Sequence, residues 1–161
     1  RSLVGSEMCI RDRAQLVNYI YDYKGTYGAS PSAVPSDHEL QQKWDKLPVA
    51  LQWSNFYCAD SVDIKLRSLG FGVTPPMRLT KEQIELLAEV EHNRWNMEKL
   101  LLGYRKPTPE EEIRCQDKAV RKEYKNKRFV HPDIRPYAEL AEGTKDYDRC
   151  ISECLPLVAK Q

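Results

Sequence analysis

The sequence predicts a mainly α fold, helices joined by extended loops, with at most a few short strands. Apolar residues recur three and four positions apart through several segments, the period of a helix with one buried face. Two of these segments open on a Thr-x-x-Gln/Glu signature, at Thr80 and Thr108, in which cap and third residue satisfy each other's backbone N–H. Glycines stand where periodic runs end, at Gly70 and Gly103, as a left-handed helix stop requires.

The elements follow in order. Residues 14–24 (AQLVNYIYDYK) place Leu16, Tyr19, Ile20 and Tyr23 at helical spacing and predict a short amphipathic helix. Residues 25–35 (GTYGASPSAVP) read as a loop. Leu47-Pro48 introduces a stronger helix along Leu51, Asn55, Ala59, Val62, Leu66 and Leu69, stopped at Gly70. Thr74-Pro75-Pro76 reads as a turn within a linker, 74–79, and as the subdomain boundary. Thr80 opens the longest helix, 81–102, closed by Gly103. The helix opened by Thr108-Pro109 starts acidic (Glu110, Glu111, Glu112) and ends basic (Arg121, Lys122, Lys125), which complements its dipole. Its apolar stripe is thin (Ile113, Val120, Tyr124), so 105–130 reads as a charged surface insertion. Residues 131–140 (HPDIRPYAEL) read as extended and turn-rich. A final helix near 144–159 is expected to bury Tyr147, Ile151, Cys154, Leu155 and Val158.

Composition excludes several classes. The 161 residues hold 25 basic and 24 acidic side chains, a net +1, where a dedicated nucleic-acid binder is usually strongly basic. No apolar run approaches the roughly 18–20 residues of a membrane helix, so none is expected in this piece. Five cysteines without framework spacing suit a reducing, cytoplasmic setting. Residues 1–13 (RSLVGSEMCIRDR) have no clean period or cap, and Leu3 to Asp12 resembles the translation of a sequencing-library adaptor. Such segments are excluded from fold reasoning. The remaining 148 residues then carry 22 charges of each sign and four cysteines. The expectation is a C-terminal part of a longer protein whose upstream domain is a partner missing here.

Chemistry-bearing clusters are few. Ala88, His92, Trp95 and Lys99 share one face of the longest helix. Two readings stand: Trp95 packs in a core while His92 bonds a carbonyl, or Trp95 stacks a ligand ring while His92 and Arg94 read polar edges. His131-Pro132-Asp133 and Pro136-Tyr137 form a second cluster, read as a stiffened loop or a pocket rim. The segment 114–128 (RCQDKAVRKEYKNKR) is read as a solvated basic helix end, with binding of a phosphate-bearing partner as the other reading. None of the three histidines has zinc-site spacing, so neither metal nor cofactor is expected. Cys150 and Cys154 lie one helical turn apart and, with Cys58 and Cys115, read as buried or inert thiols. No nucleophile elbow, P-loop or dinucleotide fingerprint is present, and no enzyme is expected.

Three ordered blocks carry a resemblance. The first is A-E-x-E-H-N-R-W-x-x-E-K-L-x-x-G-Y, with Ala88, His92, Trp95, Lys99, Gly103 and Tyr104. The second is H-P-D-I-R-P-Y-x-E-L, with His131, Pro132, Pro136, Tyr137 and Leu140. The third is K-D-Y-D-R-x-I-x-x-x-L-P, with Lys145, Asp148 and Arg149. Together they resemble the Ryr domain, the small repeat named from ryanodine receptors, in its bacterial form. The resemblance covers 80–161 and departs from the family at the long charged stretch 105–130. Residues 14–73 resemble a divergent second copy through Trp44-x-x-Leu47-Pro48 and Ser54-Asn55-x-x-x-Ala59, although Phe56 stands where such segments usually carry Arg.

The resemblance implies a non-enzymatic regulatory or sensor module that binds a small, nucleotide-derived ligand. It implies ligand contacts from His92, Arg94, Trp95, Lys99, His131, Pro132, Tyr137, Asp148 and Arg149. The alternative is a protein-interaction or assembly module, including a homo-oligomer, in which the same aromatics are core.

Overall fold

The computed structural model describes residues 3–72 and 76–160. Of the linker expected over 74–79, Thr74 and Pro75 lie outside the described residues. The described residues form nine α-helices and one 3-10 turn, with no sheet. The expectation of a mainly α fold holds, and its allowance for strands reduces to one isolated bridge, Arg105 with Val130. The chain divides into two compact units, one of Arg1–Glu91 with Asp146–Gln161, the other of His92–Lys145.

The first unit is arranged around α1 (Leu3–Tyr27), which packs against α2 (Asp37–Asp45), α3 (Val49–Asp60) and α9 (Leu155–Val158). Leu16, Val17 and Ile20 of α1 are fully buried with Trp44, Ala59, Val62, Leu66, Leu87, Ile151 and Leu155. Each such aliphatic side chain contributes about 1.5–3 kcal/mol on burial. α1 is longer than the 14–24 expected from periodicity. Arg13 ties it down, through an ion pair with Asp63 at 3.0 Å and a bond to the Ala159 carbonyl at 3.2 Å.

α2 was not expected from the sequence, although its signature is there. The Ser36 hydroxyl accepts from the Glu39 N–H at 3.3 Å, the cap of a Ser-x-x-Glu start, and Leu40 and Trp44 face the core. The long helix expected from Leu51 to Leu69 is two, α3 and α4 (Val62–Ser68). At the break the Ser61 hydroxyl donates to the Cys58 carbonyl at 2.7 Å, a local bond that competes with the helical ladder. Leu51, expected on the core stripe, is 48% exposed. The Gly70 stop is a Schellman closure, with φ +82° and the Phe71 N–H bonded to the Leu66 carbonyl at 3.2 Å.

A charged pair lies inside this unit. Lys65 of α4 bonds Glu91 of α5 (Lys81–Leu101), with side chains 3% and 1% exposed. The expected Thr80 box opens α5: Thr80 N–H donates to Gln83 Oε1 at 2.9 Å, and Gln83 N–H to Thr80 Oγ1 at 3.2 Å.

In the second unit, α5 ends at the Gly103 stop (φ +85°), where the Tyr104 N–H bonds the Lys99 carbonyl at 2.9 Å. The insertion is a helical hairpin, α6 (Pro109–Arg114) and α7 (Lys118–Arg128), in place of the single helix expected. Asp117 starts α7 by accepting from the N–H groups of Ala119 and Val120 at 2.8 and 3.0 Å. Nor is the insertion all surface: Cys115, Tyr124 and Val130 form a small core of their own, while Ile113 stays 68% exposed. Its base closes where Arg105 N–H meets the Phe129 carbonyl at 2.8 Å and His131 N–H the Arg105 carbonyl at 3.0 Å. A 3-10 turn, Tyr137–Glu139, follows.

The final helix is also divided, into α8 (Glu142–Glu153) and α9, because Pro156 cannot donate to the carbonyl of Ser152. Ile151, Cys154, Leu155 and Val158 are buried as expected, but Tyr147, at the edge of that face, is 42% exposed.

Replacing Glu91 by Gln leaves the Lys65 ammonium buried without its counter-charge and is expected to cost about 3–5 kcal/mol in urea unfolding. The double variant Lys65→Met with Glu91→Leu is expected to recover most of that loss. Equal losses in the two variants would show that the pair is not coupled.

Candidate functional site

Trp95 is the centre of an aromatic and imidazole cluster in the second unit. On α5, His92 precedes it by three residues and their rings lie 5.8 Å apart, nearly parallel at 22°. The His131 ring meets Trp95 edge-on at 4.7 Å, and Tyr137 lies 6.0 Å from His92. Tyr104, carried there by the Gly103 stop, is 6.4 Å from His131. The Lys99 ammonium stands 5.6 Å from the Trp95 ring centre and 5.9 Å from that of Tyr104, a cation over two π faces.

The polar groups of the cluster are largely engaged. His92 donates from Nε2 to the Arg135 carbonyl at 2.8 Å, and Asn96 Nδ2 donates to the same oxygen at 3.0 Å. This matches the reading of His92 as a buried histidine bonded to a carbonyl. Glu98, 7% exposed, binds Arg94 at 2.8 Å and Lys99 at 2.9 Å. Burial pushes its carboxyl up, but the hydrogen bonds from Arg94 and Lys99 outweigh this and hold it below the usual range. Pro132 is buried, and its carbonyl accepts from Arg135 Nε at 2.7 Å.

His131 is 7% exposed, and its Nδ1 accepts from the Asp133 N–H at 3.2 Å, which leaves Nε2 as the donor. Burial, reinforced by the charges of Lys125, Lys99 and Arg121, pulls its pKa down to about 3. A neutral imidazole therefore stands among three cations. Lys125 is itself half-buried, and burial lowers its pKa despite the attraction of Asp133. No carboxylate among the described residues bonds its ammonium. The sequence reading took 114–128 as a solvated helix end; Lys125 departs from it because the hairpin folds α7 back toward His131.

The structure thus gathers His92, Arg94, Trp95, Lys99, His131, Pro132 and Tyr137 in the second unit. Asp148 and Arg149 belong to the first unit. There Arg149 forks onto Glu85 at 2.7 and 2.9 Å and bonds Asp146 at 3.0 Å, and Asp148 is buried. Tyr104 came with the resemblance but was not among the expected contacts, and Asn96 and Lys125 were missed. Asn96 was visible as i+4 from His92. Lys125 had no signal beyond the basic run.

A cleft of about 340 Å³ also opens in the second unit, lined by residues that include Lys106, Pro107, Glu112 and Arg135. There Arg135 pairs with Glu112 at 2.6 Å. Among the described residues no group of three His, Cys, Asp or Glu side chains stands close enough to hold a metal, and no helix is long and apolar enough to cross a membrane. No protein-family model, curated protein or solved structure matches the chain.

Because the folded pKa of His131 lies below its unfolded value, the unfolded chain takes up the proton first. Stability is therefore expected to fall as pH drops below about 6.5, by up to about 1.4 kcal/mol per pH unit. His131→Gln removes this slope between about pH 6.5 and 5, above the range of the carboxylates. Denaturant midpoints across that range check it; an unchanged slope in the variant would assign the titration elsewhere.

Proposed function

We propose that this chain is a non-enzymatic regulatory module of the Ryr type, which binds a small anionic, nucleotide-derived ligand through the second unit. The observation that carries the reading is Lys125, an ammonium held half out of water beside a neutral His131 and bonded to no carboxylate among the described residues. A half-buried cation of this kind is stabilised by an incoming phosphate or carboxylate. The half-buried rings of Trp95 and Tyr104, which share the Lys99 ammonium, offer the apolar faces on which a base stacks. His131 Nε2–H supplies a neutral donor. Arg94, engaged by Glu98, is a positioning group in this reading rather than a contact.

A second reading, a protein-interaction module, is favoured by one feature of the first unit. Val49, Trp53 and Tyr57, four apart along α3, are 66%, 55% and 51% exposed, and Trp53 stacks on Tyr57 at 6.1 Å. Contiguous apolar surface of this kind marks interaction sites.

Thermal unfolding against a panel of mononucleotides, dinucleotides and inorganic phosphate separates the two. Ligand binding is expected to raise stability progressively, by about 2.7 kcal/mol at a hundred times Kd. Lys125→Gln is expected to abolish the shift while leaving the unliganded melting point nearly unchanged. No shift with any compound, together with dimerisation that Trp53→Ser abolishes, would replace ligand binding by the interaction reading.

A further inference from the structure

In the first unit, Cys150 of α8 is 3% exposed, and its sulfur lies 3.3 Å from the Ser30 hydroxyl oxygen. The same oxygen lies 2.6 Å from Glu153 Oε2, and a serine has only one proton to give. The carboxylate is the stronger acceptor, so Ser30 donates to Glu153 and turns a lone pair toward the Cys150 S–H. Thiol, hydroxyl and carboxylate form a relay that ends at the exposed Glu153. Cys154 follows one turn further on, its backbone N–H bonded to the Cys150 carbonyl at 3.2 Å.

We propose that Cys150 is a peroxide-reactive thiol that Cys154 resolves to a disulfide, with Ser30 and Glu153 conducting its proton to the surface. Cys150 gives up its proton through Ser30 to Glu153, and the thiolate attacks one oxygen of a hydroperoxide. The O–O bond breaks, a sulfenic acid forms on Cys150, and the other oxygen leaves as an alcohol or water with the proton returned from Glu153. The Cys154 sulfur then attacks that of Cys150. Its proton goes to the departing hydroxide, and water leaves as the S–S bond closes. The peroxide gains two electrons and the two thiols lose them.

Electrostatics agree with this geometry. The hydrogen bond from Cys154 outweighs burial and, with the bond Ser30 donates to the thiolate once it forms and the Lys24 charge, brings the Cys150 thiol down to about 7 against the opposing charge of Glu153. Cys154 is held above the usual thiol range by the same contact and by burial, the order expected of attacking and resolving sulfurs. Cys115 is pushed up by burial, which outweighs the nearby charge of Arg121. Side chains four apart on a helix have Cβ atoms about 5–6 Å apart, and a disulfide needs about 3.5–4.5 Å. Closing the bridge therefore tightens the joint between α8 and α9, where the Cys154 N–H bonds the Cys150 carbonyl at 3.2 Å.

The test is to treat the full chain with hydrogen peroxide at about pH 7, trap free thiols and map the peptides by mass spectrometry. A Cys150–Cys154 disulfide is expected ahead of modification at Cys58 or Cys115. Cys154→Ser is expected to stop at a sulfenic acid on Cys150 that dimedone captures. Ser30→Ala is expected to slow the reaction about tenfold at neutral pH and to recover at about pH 9, as a thiol returned to its ordinary pKa would. Glu153→Gln, an exposed change that removes the proton's destination together with a charge that raises the thiol's pKa, is expected to slow the reaction at neutral pH without moving the profile to higher pH, and serves if Ser30→Ala does not fold. Oxidation of Cys58 or Cys115 first, or a rate at neutral pH unmoved by both variants, would overturn the proposal.

Discussion

The Lys65–Glu91 pair is the constraint on which the first unit depends. Both groups are removed from water, so neither tolerates a position in which the other is absent. Apolar contacts between α4 and α5 tolerate sliding by a fraction of a turn; two buried charges that must meet do not. The Tyr21 hydroxyl of α1, 3.5 Å from Glu91 Oε1, brings the central helix into the same arrangement. The hydrophobic core supplies most of the stabilisation, and the pair selects one register among the packings that core permits.

The second unit is organised differently. Its buried residues include Val130, Ile134 and Leu140, but around Trp95 it gathers imidazoles, an indole and phenols, and the backbone carbonyl of Arg135 is shared by His92 and Asn96. Such a core is adhesive only when every donor is matched. His131 accepts the Asp133 N–H at Nδ1, and burial together with the cations beside it keeps the ring neutral. Glu98 answers Arg94 and Lys99 from the same helix, so the positive charge not answered by a bonded carboxylate is concentrated on the hairpin.

What was legible in the sequence was local. The boxes at Thr80 and Thr108 and the stops at Gly70 and Gly103 formed where they were read, because each depends on residues within one turn. The breaks at Ser61 and Asp117 were not read, since neither carries a Gly or Pro; a serine bonding backward and an aspartate bonding forward divide those helices. The Ser36 cap follows directly on a loop rich in Gly, Ser and Pro, which masks its signature in the sequence. The face shared by His92, Trp95 and Lys99 follows from helical period alone. The place of Lys125 follows from a hairpin that brings residues far apart in sequence together, and no local pattern encodes that.

The two ends of that hairpin meet at the Arg105–Val130 bridge, with Phe129 turned into the left-handed region at φ +53° to close it. A segment rooted at adjacent points, with its own small core of Cys115, Tyr124 and Val130, is a self-contained graft on the α5 scaffold. A change in the length or charge of 105–130 can therefore be made at one point of attachment, without breaking the α5 helix that carries Trp95.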